Sequence, residues 1–370
     1  MTPISQGQSD NSTTIAARRM SDIMMRLTGS NAFLVLMSFA VSLVIGLFIL
    51  ASLGVEPVEA LGVMVKGAFG SKMAIGDTLV FMTPRLLAAL AALIAIRCGF
   101  YNLGAEGQLQ LGAIGAVLPA TLLPPQLGIL LVPISIVSGA LFGAFWGVIP
   151  VLLKLWRGAN EIIVTLMMNF IGFYLVKYLV QGPLQPEGSD FNMSAKIADG
   201  AILPVLVDGT RLHAGVLLAL VVAVALWALL YHSTFGIRLR AAGLSPKTAR
   251  LQGMPLSRLI ISSMLISGGV AGIAGAVEVL GVQYRLIDGF SSSLGFDGLA
   301  IALLGSLEPL GAVIVAIYFG AISSGTVALQ STLSIPAALA LIMTGLPIIL
   351  LACIHGYRFL KGRPLWSSTR

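Results

Sequence analysis

Apolar residues run along this chain in blocks of about 20, parted by short polar breaks. A helix needs roughly 20 residues to cross about 30 Å of hydrocarbon. On that ruler the blocks predict ten spans, at 32–53, 79–96, 103–121, 129–153, 161–180, 214–231, 258–281, 296–307, 309–330 and 334–353. The eighth is short, and Glu308-Pro309 breaks it from the ninth. Such interrupted segments in a membrane protein point to a place where something polar is held. The fold expected is all-α, a polytopic transmembrane bundle. Residues 31–355 form the membrane domain, with a disordered leader at 1–30 and a tail at 356–370. The first apolar run is too long for a signal-peptide core, and no small-residue cleavage site follows it, so it reads as an uncleaved span.

Composition agrees with the pattern. Mean hydropathy is +0.97 and only 10% of residues are charged, against about 25% in soluble domains. The net charge of +7 would suggest nucleic acid in a soluble chain. Here its distribution explains it without any nucleic-acid partner. Of the 22 Lys and Arg, the expected outer side keeps Lys66, Lys72, Arg85, Lys177, Lys196, Arg211 and Arg285, and fifteen fall inside. That asymmetry places both termini in the cytoplasm. Arg85, Lys177 and Glu278 are expected near the outer surface, where long side chains snorkel.

One polar run stands out against the hydrocarbon. Arg97-Cys98-Gly99-Phe100-Tyr101-Asn102-Leu103-Gly104-Ala105-Glu106-Gly107-Gln108-Leu109-Gln110 mixes a carboxylate, amides and glycines between two apolar stretches. A charged group in a bilayer costs at least a few kcal/mol unless paired or wetted. Non-helical backbone survives there only against protein or a water-filled cavity. Glu106 therefore either pins a broken helix, paired with Arg97 or hydrogen-bonded by Gln108 and nearby N–H groups, or contacts a polar solute. Asn102 and Gln108 carry donors and acceptors suited to a sugar hydroxyl or a base edge. Glu161, Thr165 and Asn169 recur at four-residue steps and form a polar stripe on the fifth span. The stripe lines a pathway or makes interhelical hydrogen bonds. Gly139, Gly143 and Gly147, and Gly268 and Gly272, repeat at fours and predict close helix packing. Asp297 is placed to cap the short eighth span.

A second local pattern lies between the sixth and seventh spans, in the loop 232–257. Ser245 is placed to cap a helix whose first residue is Pro246, and Gly253 and Pro255 stop it. Ala242, Gly243, Pro246, Ala249 and Gly253 thus frame a short basic helix in the inner loop, something rigid for a cytoplasmic partner to grip. The outer segments 54–78 and 181–213 are long enough either to dock an external partner or to serve as solvated connections.

The loop 236–255 resembles the coupling helix of ABC-importer permeases, and the likeness spreads from about residue 30 to 355. Asn102-Leu103-Gly104-Ala105-Glu106-Gly107-Gln108 resembles the signature of nucleoside-type permeases, relatives of the ribose and branched-chain amino-acid permeases. Asn160-Glu161-Ile162-Ile163-Val164-Thr165 through Phe170 is similar to the start of their fifth span. Gly295-Phe296-Asp297-Gly298 through Gly305, with Pro309-Leu310-Gly311, is similar to the segment after the seventh. The resemblance implies a permease subunit in a bacterial inner membrane, moving nucleosides or related purine-type solutes inward by alternating access. Its implied partners are a second, non-identical permease, a cytoplasmic ABC ATPase and an external substrate-binding protein. Simple sugars or branched-chain amino acids remain alternative solutes, and an ion-coupled secondary transporter is the rival class.

Several activities lose support. No GxxxxGK[ST] sequence is present, so ATP would be bound by another chain. Cys98 and Cys353 make no disulfide or metal framework, and His213, His232 and His355 have no metal-site spacing. No nucleophile and base, no metal and no cofactor are expected, and the chain is not expected to be an enzyme.

Overall fold

The computed structural model describes residues 31–334, apart from Leu53 and Ser292, and scattered positions between 342 and 353. The leader 1–30, most of the expected span 334–353 and the tail 356–370 lie outside the described residues. The chain divides into two compact units, one of Met1–Leu61 with Pro336–Arg370 and one of Gly62–Ile335. In the first, helix α1 covers Asn31–Ser52. Its Ser42 hides its hydroxyl by donating to the Ser38 carbonyl oxygen at 2.6 Å, a normal way to carry serine in an apolar helix.

The second unit is helical throughout. After α2 (Pro57–Phe69) come α3 (Lys72–Arg97), α4 (Ala105–Leu122), α5 (Leu131–Arg157) and α6 (Glu161–Val180). Then follow α7 (Gly215–His232), α8 (Thr234–Leu244), α9 (Pro246–Leu251), α10 (Leu256–Glu278), α11 (Leu294–Leu304) and α12 (Pro309–Leu333). The described residues contain no strand, only isolated bridges at Met193–Ile287 and Val205–His213. Local sequence sets several boundaries. Ser71 accepts from Ala74 N at the start of α3, and Asn160 from Ile162 N at the start of α6. Gly158, in the left-handed region, closes α5.

Six helices among the described residues are long and apolar enough to cross a membrane. They are α3, α5 with the 3-10 turn before it, α6, α7, α10 with the turn after it, and α12. Of the other expected spans, α4 has 18 residues but opens with Glu106, Gln108 and Gln110, and α11 has only 11 residues. Helix α3 is the central element, with 78% of its apolar window buried, whereas α5 and α6 bury 28% of theirs. Apolar side chains such as Phe145, Phe170 and Tyr174 cover the outward faces of α5 and α6, as expected of helices that meet lipid.

The predicted glycine repeats do pack helix against helix. Gly143 faces Gly268, Gly272 faces Gly139 and Gly112, and Gly275 faces the Leu109 carbonyl. At each contact an added methyl would overlap backbone, so α4, α5 and α10 touch main chain to main chain.

The long segment 181–213 is not a loose connection. Ser194 N, Ile197 N and Leu203 N donate to the carbonyls of Leu286, Tyr284 and Leu280, at 2.8, 3.0 and 3.0 Å. Residues 194–203 are thereby laid over the chain that follows α10. His213 is wedged between Gly215 and Gly281, and its Nδ1 accepts from Gly215 N at 3.2 Å.

Candidate functional site

The polar run after α3 turns back into the protein instead of lying at its edge. Gly99, with φ +82°, reverses the chain. Phe100 buries its ring with Ala95, Val151 and Met264. Asn102 then donates to Gln108 Oε1 at 3.0 Å and to Ser267 Oγ at 2.9 Å, and its own oxygen accepts from Gly104 N at 2.9 Å. Ser267 in turn donates to the Ala91 carbonyl at 2.6 Å. Ala91 lies six residues before the end of α3, or about 9 Å along its axis. The first turn of α4 is therefore set inside the bundle, deeper than the sequence reading placed it.

The stripe on α6 holds that re-entrant segment from the other side. Thr165 Oγ1 accepts from Leu103 N at 3.3 Å, while Asn169 accepts from Gly107 N and donates to the Leu103 carbonyl, both at 2.8 Å. Asn102, Gln108, Thr165 and Asn169 thus form one buried network whose partners are largely backbone groups of 102–107. That network answers the need of extended chain at this depth to have its N–H and C=O groups satisfied. Glu161 stands apart from it and pairs with Lys154 at 2.5 Å.

Glu106 meets neither Arg97 nor Gln108, and of the partners expected for it keeps only backbone N–H groups. Arg97 binds Glu308, the Leu307 carbonyl and the Tyr231 hydroxyl instead. Glu106 accepts from Ser291 Oγ and from Gly295 N, the latter at 2.6 Å. Gly295 is in the first turn of α11, so a carboxylate from α4 caps a different helix and meets the positive end of its dipole. The cap residue of α11 itself is Ser293, with φ +72°, and its side chain makes no capping bond.

Asp297 is not a cap either. It pairs with Arg85 at 2.9 Å, and Arg85 also donates to the Phe81 carbonyl at 2.8 Å. Arg85 lies midway along the 26 residues of α3, about 20 Å from one end and 18 Å from the other. In place of a free snorkelling side chain, the structure shows a part-buried ion pair. Glu278 is also buried, 7% exposed, and accepts from Gln283 Nε2 at 3.0 Å. A cavity of about 250 Å³ lies here, lined in part by Phe81, Arg85, Arg211, Glu278, Gln283 and Phe290. Its wall includes Ser291, the partner of Glu106. Arg85, Glu278, Gln283 and Ser291 are the polar groups that sequence reasoning missed as a site. Their only local signal was a charged residue within an apolar block.

The loop 232–257 holds the expected helix Pro246–Leu251, with Ser245 Oγ accepting from Thr248 N at 3.4 Å and Gly253 at φ +73°. A second helix, α8, precedes it, capped by Ser233 at 3.0 Å from Gly236 N. The pair makes a hairpin that docks on the end of α3, where Gly243 fits only because it lacks a side chain against the Arg97 carbonyl. Arg240 on α8 stacks over Tyr231, 4.7 Å from the ring centroid. Tyr231 donates to Glu308, so the hairpin is linked to the turn between α11 and α12. Ala242 and Ala249 are buried, whereas Leu244 and Leu251 are almost fully exposed, at 88% and 89%.

A bundle of long apolar helices with polar groups in its interior is the build of a multi-pass membrane protein. The sequence comparisons are specific. Residues 74–352 match the family model described as branched-chain amino acid transport system / permease component, and the chain belongs to that family. It is 33% identical to the guanosine ABC transporter permease protein NupP of Bacillus subtilis, over 90% of this chain and 97% of that one. The glucose ABC transporter permease protein TsgB13 of Haloferax volcanii is 32% identical, over 84% of each chain. The nucleoside ABC transporter permease protein NupB of Lactococcus lactis is 28% identical, over 86% of this chain and 89% of its own. No solved structure matches.

Proposed function

We propose that this chain is the permease subunit of an ABC importer that carries nucleosides or related purine-type solutes inward across a bacterial inner membrane. The observation that carries the reading is the near full-length similarity to permeases named for guanosine and nucleosides, on a fold whose interior holds a polar cavity. The glucose permease among the relatives keeps simple sugars as the second reading.

Ten spans with both termini cytoplasmic fit the sequence. They are α1, α3, α4, α5, α6, α7, α10, α11, α12 and the apolar block 334–353. An external binding protein docks on the outer segments, including the ordered stretch 181–213. Solute passes the cavity beside α3 and α10. The re-entrant segment, with Asn102, Glu106, Gln108, Thr165 and Asn169, shapes the inner half of the path, and Glu161 holds the mouth of α6 against α5. A cytoplasmic ATPase grips the 232–257 hairpin, whose exposed Leu244 and Leu251 suit burial against a protein surface. Through Arg240, Tyr231 and Arg97 that grip reaches the turn at Glu308 and so α11. A second, non-identical permease completes the pore.

Reconstituting the chain with its ATPase, second permease and binding protein tests this. Guanosine uptake into proteoliposomes is expected to require ATP, and Leu251→Glu is expected to release the ATPase while the permease still inserts. Uptake that continues without ATP and collapses with the proton gradient would overturn the reading.

A further inference from the structure

The cavity beside α3 has a chemical signature of its own. The last turn of α10 widens into a π turn at Val279–Gln283. In an ordinary α-helix residues five apart lie about 140° apart, but i to i+5 bonding brings them onto one side. The widened turn is why Gln283 can donate to Glu278 Oε1 at 3.0 Å. The other carboxylate oxygen has no hydrogen-bond partner among the described residues, although Glu278 is 7% exposed. A nearly buried carboxylate with a free acceptor, on a cavity wall, is a group built to meet a donor.

The other charges narrow the solute. Arg85 is engaged by Asp297 at 2.9 Å, while Arg211 makes only a longer contact of 3.9 Å with Asp77. Both line the same cavity as Glu278, and Asp297, Asp77 and Glu278 offset the two guanidiniums, so the wall has little net charge to select an ion. Phe81 and Phe290 add apolar ring surface to the lining. What remains is an uncharged solute with two adjacent donors and a flat or apolar face.

We propose that Glu278 is a specificity-determining residue of a solute site, accepting two adjacent donors of an uncharged polar solute. The donors are either a vicinal diol, as in a ribose ring, or the ring N–H and amino group of a guanine edge. This rests on the reading of the chain as a nucleoside permease.

The test uses the complete complex in proteoliposomes and compares KM for ATP-driven uptake of guanosine, inosine and 2′,3′-dideoxyguanosine. Inosine lacks the amino group, and the dideoxy compound lacks the diol. Wild type is expected to favour guanosine over one of them by about tenfold or more, the scale set by an unmade hydrogen bond to a charged group. Glu278→Gln, which faces one of the donors with another donor, is expected to reduce that ratio several-fold. The analogue whose ratio shrinks identifies the donor pair. Equal KM for all three solutes in wild type, or an unchanged ratio in Glu278→Gln, would overturn the proposal while leaving nucleoside transport standing. A wild-type complex with no ATP-driven uptake of any of the three would overturn the transport reading itself.

Discussion

The Arg85–Asp297 pair is the most exposed of these conclusions to experiment, because its two partners can be removed singly or together. The two side chains are 14% and 22% exposed and meet at 2.9 Å. At about 4 Å between charge centres and an effective dielectric near 20, their attraction is about 4 kcal/mol, roughly what desolvating them costs. Removing one partner leaves the other charge buried, at a cost of about 3–5 kcal/mol, while replacing both with apolar groups is near neutral. Asp297→Asn and Arg85→Met are therefore each expected to destabilise the purified protein by that amount. The double replacement Arg85→Met with Asp297→Leu should recover most of the loss. Unfolding of the detergent-solubilised protein, by heat or by added SDS, measures all three. Asp297→Asn is also expected to expose α11 to hydrogen exchange, since the pair and the Glu106 cap hold that helix. Wild-type stability in both single variants, or a double variant as weak as their sum, would refute the buried pair.

Gly275→Ala puts a methyl into the Leu109 carbonyl oxygen, and the backbones must part, at about 1–3 kcal/mol or more. Gly269→Ala on the same helix meets nothing nearer than 3.6 Å and should melt as wild type; equal melting of the two variants would count against main-chain contact. His213 has its pKa lowered to about 4, chiefly by burial and then by the Arg211 charge. The folded protein thus holds fewer protons than the unfolded chain between pH 6.5 and 4. Stability is full above about pH 6.5 and falls by up to about 3 kcal/mol as pH drops to 4. Melting curves across that window should show the slope in wild type and lose it in His213→Asn.

Much of the architecture was legible because its signals are local. Apolar runs marked the helices, four-residue glycine spacing marked the α5–α10 contact, and Ser245-Pro246 marked the start of α9. The depth of a residue was not legible. Hydropathy orders residues along the chain, and the re-entrant stretch 98–104 breaks the link between that order and position across the bundle. Glu106 shows the same limit, since its partners Ser291 and Gly295 lie 185 and 189 residues away. Arg97 and Gln108 were nearer in sequence and took other partners. The pairing of Glu278 with Gln283 depends on a π turn, which no spacing rule for α-helices anticipates. Of the polar stripe on α6, Thr165 and Asn169 grip the backbone of 103–107, while Glu161 turns to Lys154.

The main-chain contacts among α4, α5 and α10 decide which parts of the molecule can move during a transport cycle. Helices that slide do so on side chains that exchange rotamers, like gear teeth that slip. At Gly112, Gly143, Gly272 and Gly275 there are no teeth, and a shift of even one residue would drive a Cβ into a neighbouring carbonyl. These three helices are therefore expected to move as one body. Helix α11, only 11 residues long, is bounded by left-handed Ser293 at one end and by Ser306 and Leu307 at the other. It too meets main chain, where Gly295 faces the Glu106 backbone and Gly298 faces that of Ala88 and Ala89.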